Sequence, residues 1–259
     1  MNASAPLVSI VVTTYNRLNL LRETIDSILG QTFGDFELIV VDNLSEDGTT
    51  EYLSGVGDPR LQHIRHPNHG VIAVNRNLGV ERARGRYVAF CDDDDLWLPD
   101  KLRLQVELME QRREVALCYT NAESFLVDQI VSERMIRRRV RGNYFFQLLR
   151  GNYIPNSSVL IRREVFTELG LLTTDPTLRE DYHMWLRIAR RHPLAGLDAS
   201  LIRYRVHSNN VAGNRAAETL RAIRTVKDVA ALLNLSQFAV QPNLVFQFLK
   251  YLFYRFGRC

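Results

Sequence analysis

Four consecutive aspartates, residues 92–95, directly follow the apolar, strand-like run of residues 87–91. A buried strand that ends in acids places negative charge at the carboxyl edge of a sheet, where open α/β sheets bind ligands. Adjacent carboxylates repel one another, so they need a compensating cation or a well-solvated loop. Oxygen ligands suit Mg²⁺ or Mn²⁺, which usually also hold a substrate phosphate. A solvated acidic turn is the alternative, but Trp97 and Pro99 favour a metal site because they pin the tract between a strand and a helix.

The segments before this tract alternate between strand and helix patterns. Residues 7–14 and 36–41 are β-branched, apolar runs that are typical of buried parallel strands, and residues 61–65 indicate a third strand. Helical patterns separate them, and this order predicts a parallel, doubly wound sheet. No Gly-x-Gly-x-x-Gly follows the first strand, which argues against a dinucleotide fold. Asp42, at the end of the second strand, is a further carboxylate at the same edge.

Composition excludes several classes of protein. The chain has 259 residues, 46% of them apolar, and a net charge of +4, so we expect one large or two small globular domains and no nucleic-acid partner. Three cysteines suggest reduced thiols rather than a disulfide framework. No signal peptide pattern and no apolar stretch of about 20 residues occur, so we expect a cytoplasmic protein.

The ordered motifs of the chain resemble those of the family 2 glycosyltransferases with the GT-A fold. The resemblance covers roughly residues 7 to 210, and it is specific because six blocks occur in the same order. These blocks are VSIVVTTYNR (8–17), QTFGDFELIVVDN (31–43), NRNLG (75–79), ARGRYVAFCDDDDLWLPDKL (83–102), EDYHMWLR (180–187) and YRVHSNN (204–210). The resemblance implies an α/β, Rossmann-like mixed sheet flanked by helices.

The same resemblance implies roles for individual residues. The acidic motif of the family corresponds to Asp92-Asp93-Asp94, so Asp94 is expected to be the principal metal ligand, with Mg²⁺ or Mn²⁺ as cofactor. The residues expected to contact the nucleotide-sugar donor are Thr13, Tyr15, Arg17, Asp42, Asn43, Arg76, Asp92 and Asp93.

One departure from the family concerns the donor. The family usually carries paired aspartates after the second strand, whereas this chain has Asp42-Asn43. An amide cannot replace a carboxylate at a base N–H without another change, although its own oxygen can accept a hydrogen bond. UDP-, dTDP- and GDP-sugars therefore all remain open as donors.

Two further candidates lie late in the chain. Glu180 and Asp181 begin a helix, where carboxylates are ordinary partners of the helix dipole. The resemblance instead assigns them to the catalytic acidic motif, with Asp181 as the base and Glu180 as the runner-up. His207 is the expected second metal ligand, with an ordinary surface histidine as the alternative.

Two stretches allow more than one interpretation. Five arginines between residues 134 and 141 form either a solvated basic loop or a segment that meets an anionic acceptor or membrane. Residues 152–158 (NYIPNSS) indicate a turn, which the resemblance places beside the acceptor.

The division that we expect is a GT-A catalytic domain over residues 1–214 and a C-terminal helical extension over residues 215–259. Near the C-terminus, one helical arc carries polar and basic residues: Asn243, Gln247, Lys250, Arg255 and Arg258. The other side carries Phe246, Leu249, Leu252, Phe253 and Phe256. The polar arc should face water or headgroups, and the apolar side should be buried in the protein or in a membrane interface.

The sequence thus predicts a metal-dependent, inverting glycosyltransferase that uses a nucleotide sugar and a glycan or lipid-linked acceptor in bacterial surface polysaccharide synthesis. We expect it in the cytoplasm or on the inner face of the membrane, with contact through residues 243–259. The alternatives are a sugar-nucleotide-binding protein without turnover and a pyrophosphorylase-like enzyme. The latter would need a glycine-rich loop after the first strand, and residues 12–19 (VTTYNRLN) contain no glycine.

Overall fold

The computed structural model describes residues 5–126, 129–132, 143–206 and 215–256. Within these ranges, nine strands join one mixed sheet. The strands are β1 Val8–Thr14, β2 Phe36–Asp42, β3 Leu61–Arg65, β4 Tyr87–Asp92, β5 Leu96–Trp97, β6 Leu117–Leu126, β7 Gln129–Ser132, β8 Val159–Arg162 and β9 Leu194–Arg205.

Helices cover the sheet and extend beyond it. They are α1 Leu18–Leu29, α2 Thr49–Gly55, α3 Ile72–Arg82, α4 Lys101–Gln111, α5 Tyr144–Leu148, α6 Glu164–Leu169, α7 Glu180–Arg191, α8 Arg215–Leu232 and α9 Gln237–Phe256. A single 3₁₀ turn, Asn156–Ser158, precedes β8.

The sheet runs in the order β3-β2-β1-β4-β8-β6-β9-β5, and β7 pairs with β6. Strands β3, β2, β1 and β4 are mutually parallel, whereas β8 is antiparallel to both β4 and β6. The predicted mixed α/β fold is confirmed. In the second half of the sheet, β9 is parallel to β6 and antiparallel to β5.

Apolar side chains fill both faces of the parallel strands. Val11 and Phe90 belong to one core cluster, whereas their neighbours Ile10 and Ala89 belong to a second cluster on the opposite face. Successive side chains of a strand point to opposite faces, so a sheet that is covered on both sides needs unbroken apolar runs. This explains the continuous runs in the sequence.

A glycine allows α3 to lie close to β1. A Cβ atom built on Gly79 would be 2.3 Å from Cγ1 of Val11, which is closer than real contacts allow. Any larger residue would push α3 away from the sheet. The approach matters because Arg76, one turn earlier in α3, faces the ends of the strands.

Helices α8 and α9 pack onto the α/β part of the protein. Val226 and Val229 of α8 and Val240 of α9 are buried in the cluster that also holds Trp185. Along the described ranges, no helix combines the length and hydropathy needed to cross a membrane. The boundary at residue 214 stays a prediction.

The orientation of α9 contradicts the expectation from its sequence. Gln247, which the sequence pattern places on the water-facing arc, is 2% exposed, whereas Phe246 and Leu249 from the apolar side are exposed. The amide Nε2 of Gln247 donates to the carbonyl of Leu149 at 2.7 Å, and this hydrogen bond holds Gln247 against the body of the protein. Lys250 is exposed, as expected.

Candidate active site

A cleft of about 620 Å³ opens at the carboxyl end of the parallel strands. Thr13 at the end of β1 lies opposite Asp92 at the end of β4, so the sheet register brings the two strand ends to its floor. The start of α7 and residues 152–156 also line the cleft and form its second wall. Eight of the predicted site residues line the cleft: Thr13, Arg17, Arg76, Asp92, Asp93, Asp94, Glu180 and Asp181.

The four adjacent aspartates do not share one environment. Asp95 turns into the interior, where it is 1% exposed, and accepts hydrogen bonds from Ser157 Oγ at 2.6 Å and from the Arg205 amide at 3.1 Å. Burial raises the pKa of Asp95 well above its usual value, and the neighbouring acids Asp92 and Asp94 add to the shift. Asp95 thus anchors the loop, while the preceding acids line the cleft.

A guanidinium group neutralises the centre of the acidic tract. Nη1 of Arg17 donates to Asp93 Oδ1 and Asp94 Oδ2, at 3.1 Å in each case. Asp93 also accepts from the hydroxyl of Thr14 at 2.8 Å. Burial raises the pKa of Asp93 to about 6, although Arg17 and Thr14 act in the opposite direction.

A second guanidinium group connects the two walls of the cleft. Arg76 is buried, and its Nη2 donates to Asp92 Oδ1 while its Nη1 donates to Glu180 Oε1, both at 2.5 Å. Burial lowers the pKa of Arg76, but the two carboxylates outweigh burial and raise it overall. Burial also raises the pKa of Glu180, an effect that Arg76 opposes and Asp181 reinforces.

The hydrogen bonds to Asp181 come from neutral groups, while the positive charge of Arg179 acts on it electrostatically. Oδ2 of Asp181 accepts from the side-chain amide of Asn152 at 3.0 Å, and its Oδ1 accepts from the backbone N–H of Tyr182 at 2.6 Å. The carboxylate lines the cleft, whereas that of Glu180 forms an ion pair with Arg76. Of the two acids, the geometry therefore makes Asp181 better placed to accept a proton from a molecule in the cleft.

Three predicted donor contacts lie next to the cleft but not on its lining. Asp42 is fully buried, and its Oδ1 accepts from the amide and hydroxyl of Ser45 at 2.9 and 2.5 Å. The side-chain oxygen of Asn43 accepts from the Asn68 amide at 2.8 Å, and Tyr15 is exposed. Asp42 and Asn43 therefore order the loop that follows β2. Their contact with a nucleotide stays a prediction, as does that of Tyr15.

Several cleft residues are not identified as site residues by the sequence. Asn156 lines the cleft and its Nδ2 donates to Asp92 at 2.9 Å, whereas Ser157 is buried behind the lining and its Oγ accepts from the Asp92 amide at 3.0 Å. Both belong to the NYIPNSS turn, and that motif is the only available signal. Glu218 and Arg221 reach the cleft from α8, which lies beyond the matching motifs.

Two predictions cannot be compared with the structure. His207, the second expected metal ligand, and the arginine-rich stretch of residues 134–141 lie outside the described residues.

The cleft residues fit a divalent cation. Among the described residues, no three His, Cys, Asp or Glu side chains form a group that could enclose a metal. However, Mg²⁺ in proteins is often held by one or two carboxylates together with substrate phosphates. The Arg17 guanidinium bridges Asp93 and Asp94, which shows that the pair accommodates a cation. The lining also has more acidic than basic side chains: Asp92, Asp93, Asp94, Glu180, Asp181 and Glu218 against Arg17, Arg76, Arg179 and Arg221.

Comparison with solved structures gives the class of the fold. The chain is similar to Staphylococcus aureus TarS residues 1–349 in complex with UDP-GlcNAc, with a TM-score of 0.72, 17% identity and coverage of 97% of this chain and 73% of that chain. It is also similar to the mannosyltransferase PcManGT of Pyrobaculum calidifontis in complex with GDP-Man and Mn²⁺ (TM-score 0.67, 20% identity, coverage of 99% and 77%). The fold is that of the GT-A glycosyltransferases.

Sequence comparison identifies the family. The profile of glycosyl transferase family 2 matches residues 9–170, and the chain belongs to this family. TuaG of Bacillus subtilis, named for teichuronic acid biosynthesis, is 32% identical over 81% of this chain and 83% of its own length. WfgD of Escherichia coli, named as a UDP-Glc:α-D-GlcNAc-diphosphoundecaprenol β-1,3-glucosyltransferase, is 28% identical over 83% of each chain. The predicted family is confirmed.

Proposed function

We propose that this protein transfers a sugar from a nucleotide-sugar donor to a hydroxyl group of a lipid-linked acceptor, with inversion at the anomeric carbon. The observation that carries the proposal is that one cleft joins the Asp92-Asp93-Asp94 tract on one wall to Asp181 on the other. A single displacement needs the group that binds the leaving diphosphate and the base that deprotonates the acceptor on opposite sides of the sugar.

The proposed reaction starts at Asp181. This carboxylate accepts the proton of the acceptor hydroxyl while the hydroxyl oxygen attacks the anomeric carbon. The new C–O bond forms as the bond to the nucleoside diphosphate breaks, and the diphosphate leaves with the electron pair. Asn152 orients the carboxylate through its hydrogen bond to Oδ2. Glu180 takes no proton from the acceptor in this scheme, because its carboxylate is bound to Arg76.

Positive charge must balance the departing diphosphate. Asp94 and Asp93 would hold Mg²⁺ or Mn²⁺, which supplies a Lewis acid at the phosphates. Arg17 and Arg76 border the same space and supply fixed positive charge. Support for a divalent ion comes from the Mn²⁺ in the structural relative PcManGT and from the excess of acids in this cleft.

The donor and acceptor classes follow from the relatives. WfgD is named for UDP-Glc and a diphosphoundecaprenol acceptor, and TarS was solved with UDP-GlcNAc, so a UDP-sugar is our first choice of donor. If the acceptor is a lipid-linked intermediate of bacterial surface polysaccharide synthesis, then the enzyme acts on the inner face of the cell membrane. We propose that residues 243–259 provide the membrane contact.

The test is a panel of UDP-, dTDP- and GDP-sugars with Mn²⁺ and a diphosphoundecaprenol-linked sugar, in which release of nucleoside diphosphate is measured. We expect release to depend on donor, acceptor and metal, and Asp181→Asn to slow it by about 10²- to 10⁴-fold. Formation of a nucleoside triphosphate from sugar nucleotide and pyrophosphate would instead identify a pyrophosphorylase. Donor binding without any product would identify a binding protein.

A further inference from the structure

Helix α9 packs on the protein through an unexpected side. Gln247 is 2% exposed and Val240 is 4% exposed, and Gln247 Nε2 lies 2.7 Å from the Leu149 carbonyl oxygen and 3.5 Å from the Tyr182 hydroxyl. These contacts fix the rotation of the helix. The side chains on the opposite arc must therefore point away from the body.

That opposite arc is apolar. Val245, Phe246, Phe248 and Leu249 are each between 50% and 58% exposed. At about 100° per residue they fall on one continuous stripe, which we call the α9 face. Exposed apolar residues are ordinary when scattered, but a contiguous stripe of two phenylalanines and two aliphatic residues marks a surface that binds something.

The composition of the C-terminal segment favours an anionic, apolar partner. Residues 229–259 contain no aspartate or glutamate, whereas Lys250, Arg255 and Arg258 are basic. Lys250 is exposed beside the face. Aromatic and aliphatic side chains beside cations, without acids, are the composition of helices that lie in the interface of an anionic bilayer.

The position of α9 relates the face to the cleft. Gln247 contacts Leu149, three residues before Asn152, and Tyr182, which follows Asp181. Asn152 and Asp181 are hydrogen-bonded to each other on the cleft wall. The helix therefore rests on the two segments that hold the proposed base. A bilayer on the outer side of α9 would therefore lie closer to Asn152 and Asp181, the proposed acceptor wall of the cleft, than to the strand ends that bind the donor in the proposed function.

We propose that the α9 face docks on the anionic phospholipid surface of a membrane and so brings the acceptor wall of the cleft to the lipid headgroups. The role in presenting a lipid-linked acceptor rests on the proposed function, whereas docking itself does not. The other occupants of such a face are a second copy of this chain and other segments of the chain itself.

The experiment compares three full-length proteins: the wild type, the triple variant Val245→Ser/Phe248→Ser/Leu249→Ser, and a control. The control, Leu126→Ser/Ile130→Ser/Val131→Ser, removes three exposed apolar side chains from β6 and β7. Cosedimentation uses vesicles of phosphatidylcholine with and without phosphatidylglycerol. We expect the wild type and the control to bind the anionic vesicles, with binding that weakens as salt rises. The triple variant should bind about tenfold more weakly or not at all.

Three results would overturn the docking proposal. The first is a wild type that ignores anionic vesicles at low salt, and the second is a triple variant that binds them as well as the wild type does. The third is a wild-type dimer that the triple variant converts to monomers in sedimentation, because the face would then join two copies. Should the triple variant unfold, Lys250→Glu gives a second test: it should fold normally and still bind anionic vesicles more weakly.

Release of nucleoside diphosphate without vesicles separates the two proposals. If the α9 face only docks, the triple variant should release nucleoside diphosphate at the wild-type rate when donor, Mn²⁺ and a detergent-solubilised acceptor are supplied. A wild type that binds vesicles but never releases nucleoside diphosphate would overturn the proposed function and leave docking intact.

Discussion

The buried guanidinium of Arg76 lies 2.5 Å from the carboxylate of Glu180, although 104 residues separate the two in the sequence. The same guanidinium contacts Asp92, so it connects the acids at the strand ends to the start of α7. This relationship gives a structural difference between two adjacent acids, of which the family resemblance prefers Asp181 as the base. Glu180 holds the two walls together, and Asp181 is left to face the cleft.

Exchanging each acid for its amide tests this division. Asp181→Asn should lower the rate of transfer by about 10²- to 10⁴-fold, the usual loss of a positioned base, with donor affinity nearly unchanged. Glu180→Gln should mainly lower the melting temperature, because it removes one charge from a buried ion pair. Single-turnover rates and thermal unfolding of both variants provide the measurement. If Glu180→Gln lowers the transfer rate strongly and Asp181→Asn hardly changes it, then Glu180 is the base and Asp181 is not.

The acidic tract should impose a pH dependence on stability. Burial raises the pKa of Asp93 from 3.8 to about 6, so the folded protein binds this proton more tightly than the unfolded chain does. The contribution of Asp93 to the free energy of unfolding is fully present below about pH 4 and is lost as the pH rises through 6. This change is on the order of 3 kcal/mol. Urea unfolding at several pH values, with a chelator present, measures it.

Asp93→Asn is the matched control for that experiment, since the amide resembles the protonated acid and does not titrate. The difference in unfolding free energy between variant and wild type removes the contributions of Asp95 and Glu180, whose pKa values are also raised. We expect the wild type to lose stability relative to Asp93→Asn between about pH 4 and pH 6. Parallel profiles would show that Asp93 titrates as it does in the unfolded chain.

The sequence predicts the parallel half of the fold well. Its strands are covered on both faces, so each appears as an unbroken apolar run followed by polar residues, and the strand ends hold the acids. The strand pattern alone therefore places Thr13 and Asp92 at one edge of the sheet. The ordered motifs likewise bring Arg76, Glu180 and Asp181 to the site.

The orientation of α9 and the position of α8 depend on tertiary packing, which the spacing of apolar residues in the sequence does not reveal. The pattern of α9 separates an apolar side from a polar side, but only the contact of Gln247 with Leu149 determines which side faces the body. Glu218 and Arg221 reach the cleft because α8 packs against α7. No local signal in either residue indicates this position, since charged residues on a helix are ordinarily solvated.

The close approach of α3 to β1 gives a prediction about stability. Gly79→Ala places a methyl group 2.3 Å from Val11 Cγ1, so we expect a loss of about 1–3 kcal/mol from overpacking. In a Val11→Ala background the two obstructing methyl groups are gone and the Cβ of residue 11, at 3.2 Å, is the nearest remaining atom, so the same substitution should cost much less. A double-mutant cycle by chemical denaturation measures the coupling. Equal costs in both backgrounds would contradict the packing argument.

The last prediction concerns Arg17. Its guanidinium binds the carboxylate oxygens of Asp93 and Asp94 that a metal ion would need as ligands. If the two cations compete, Arg17→Gln should strengthen Mn²⁺ binding in the absence of donor. The gain should be a few-fold, since a partly exposed ion pair is worth at most about 1 kcal/mol. The same variant should lower the melting temperature of the metal-free protein, because the two carboxylates lose their counter-charge. Titration calorimetry with Mn²⁺ measures the affinity without reference to turnover.

Two controls complete the experiment with Arg17. Arg17→Lys keeps the charge and should behave like the wild type, whereas Asp94→Asn should weaken Mn²⁺ binding and abolish metal-dependent transfer while the fold is kept. Weaker Mn²⁺ binding by Arg17→Gln would mean that Arg17 assists the metal rather than competing with it. Full transfer activity of the wild type in a chelator would remove the metal from the reaction. Arg17 and Arg76 would then be the remaining charges that neutralise the departing diphosphate.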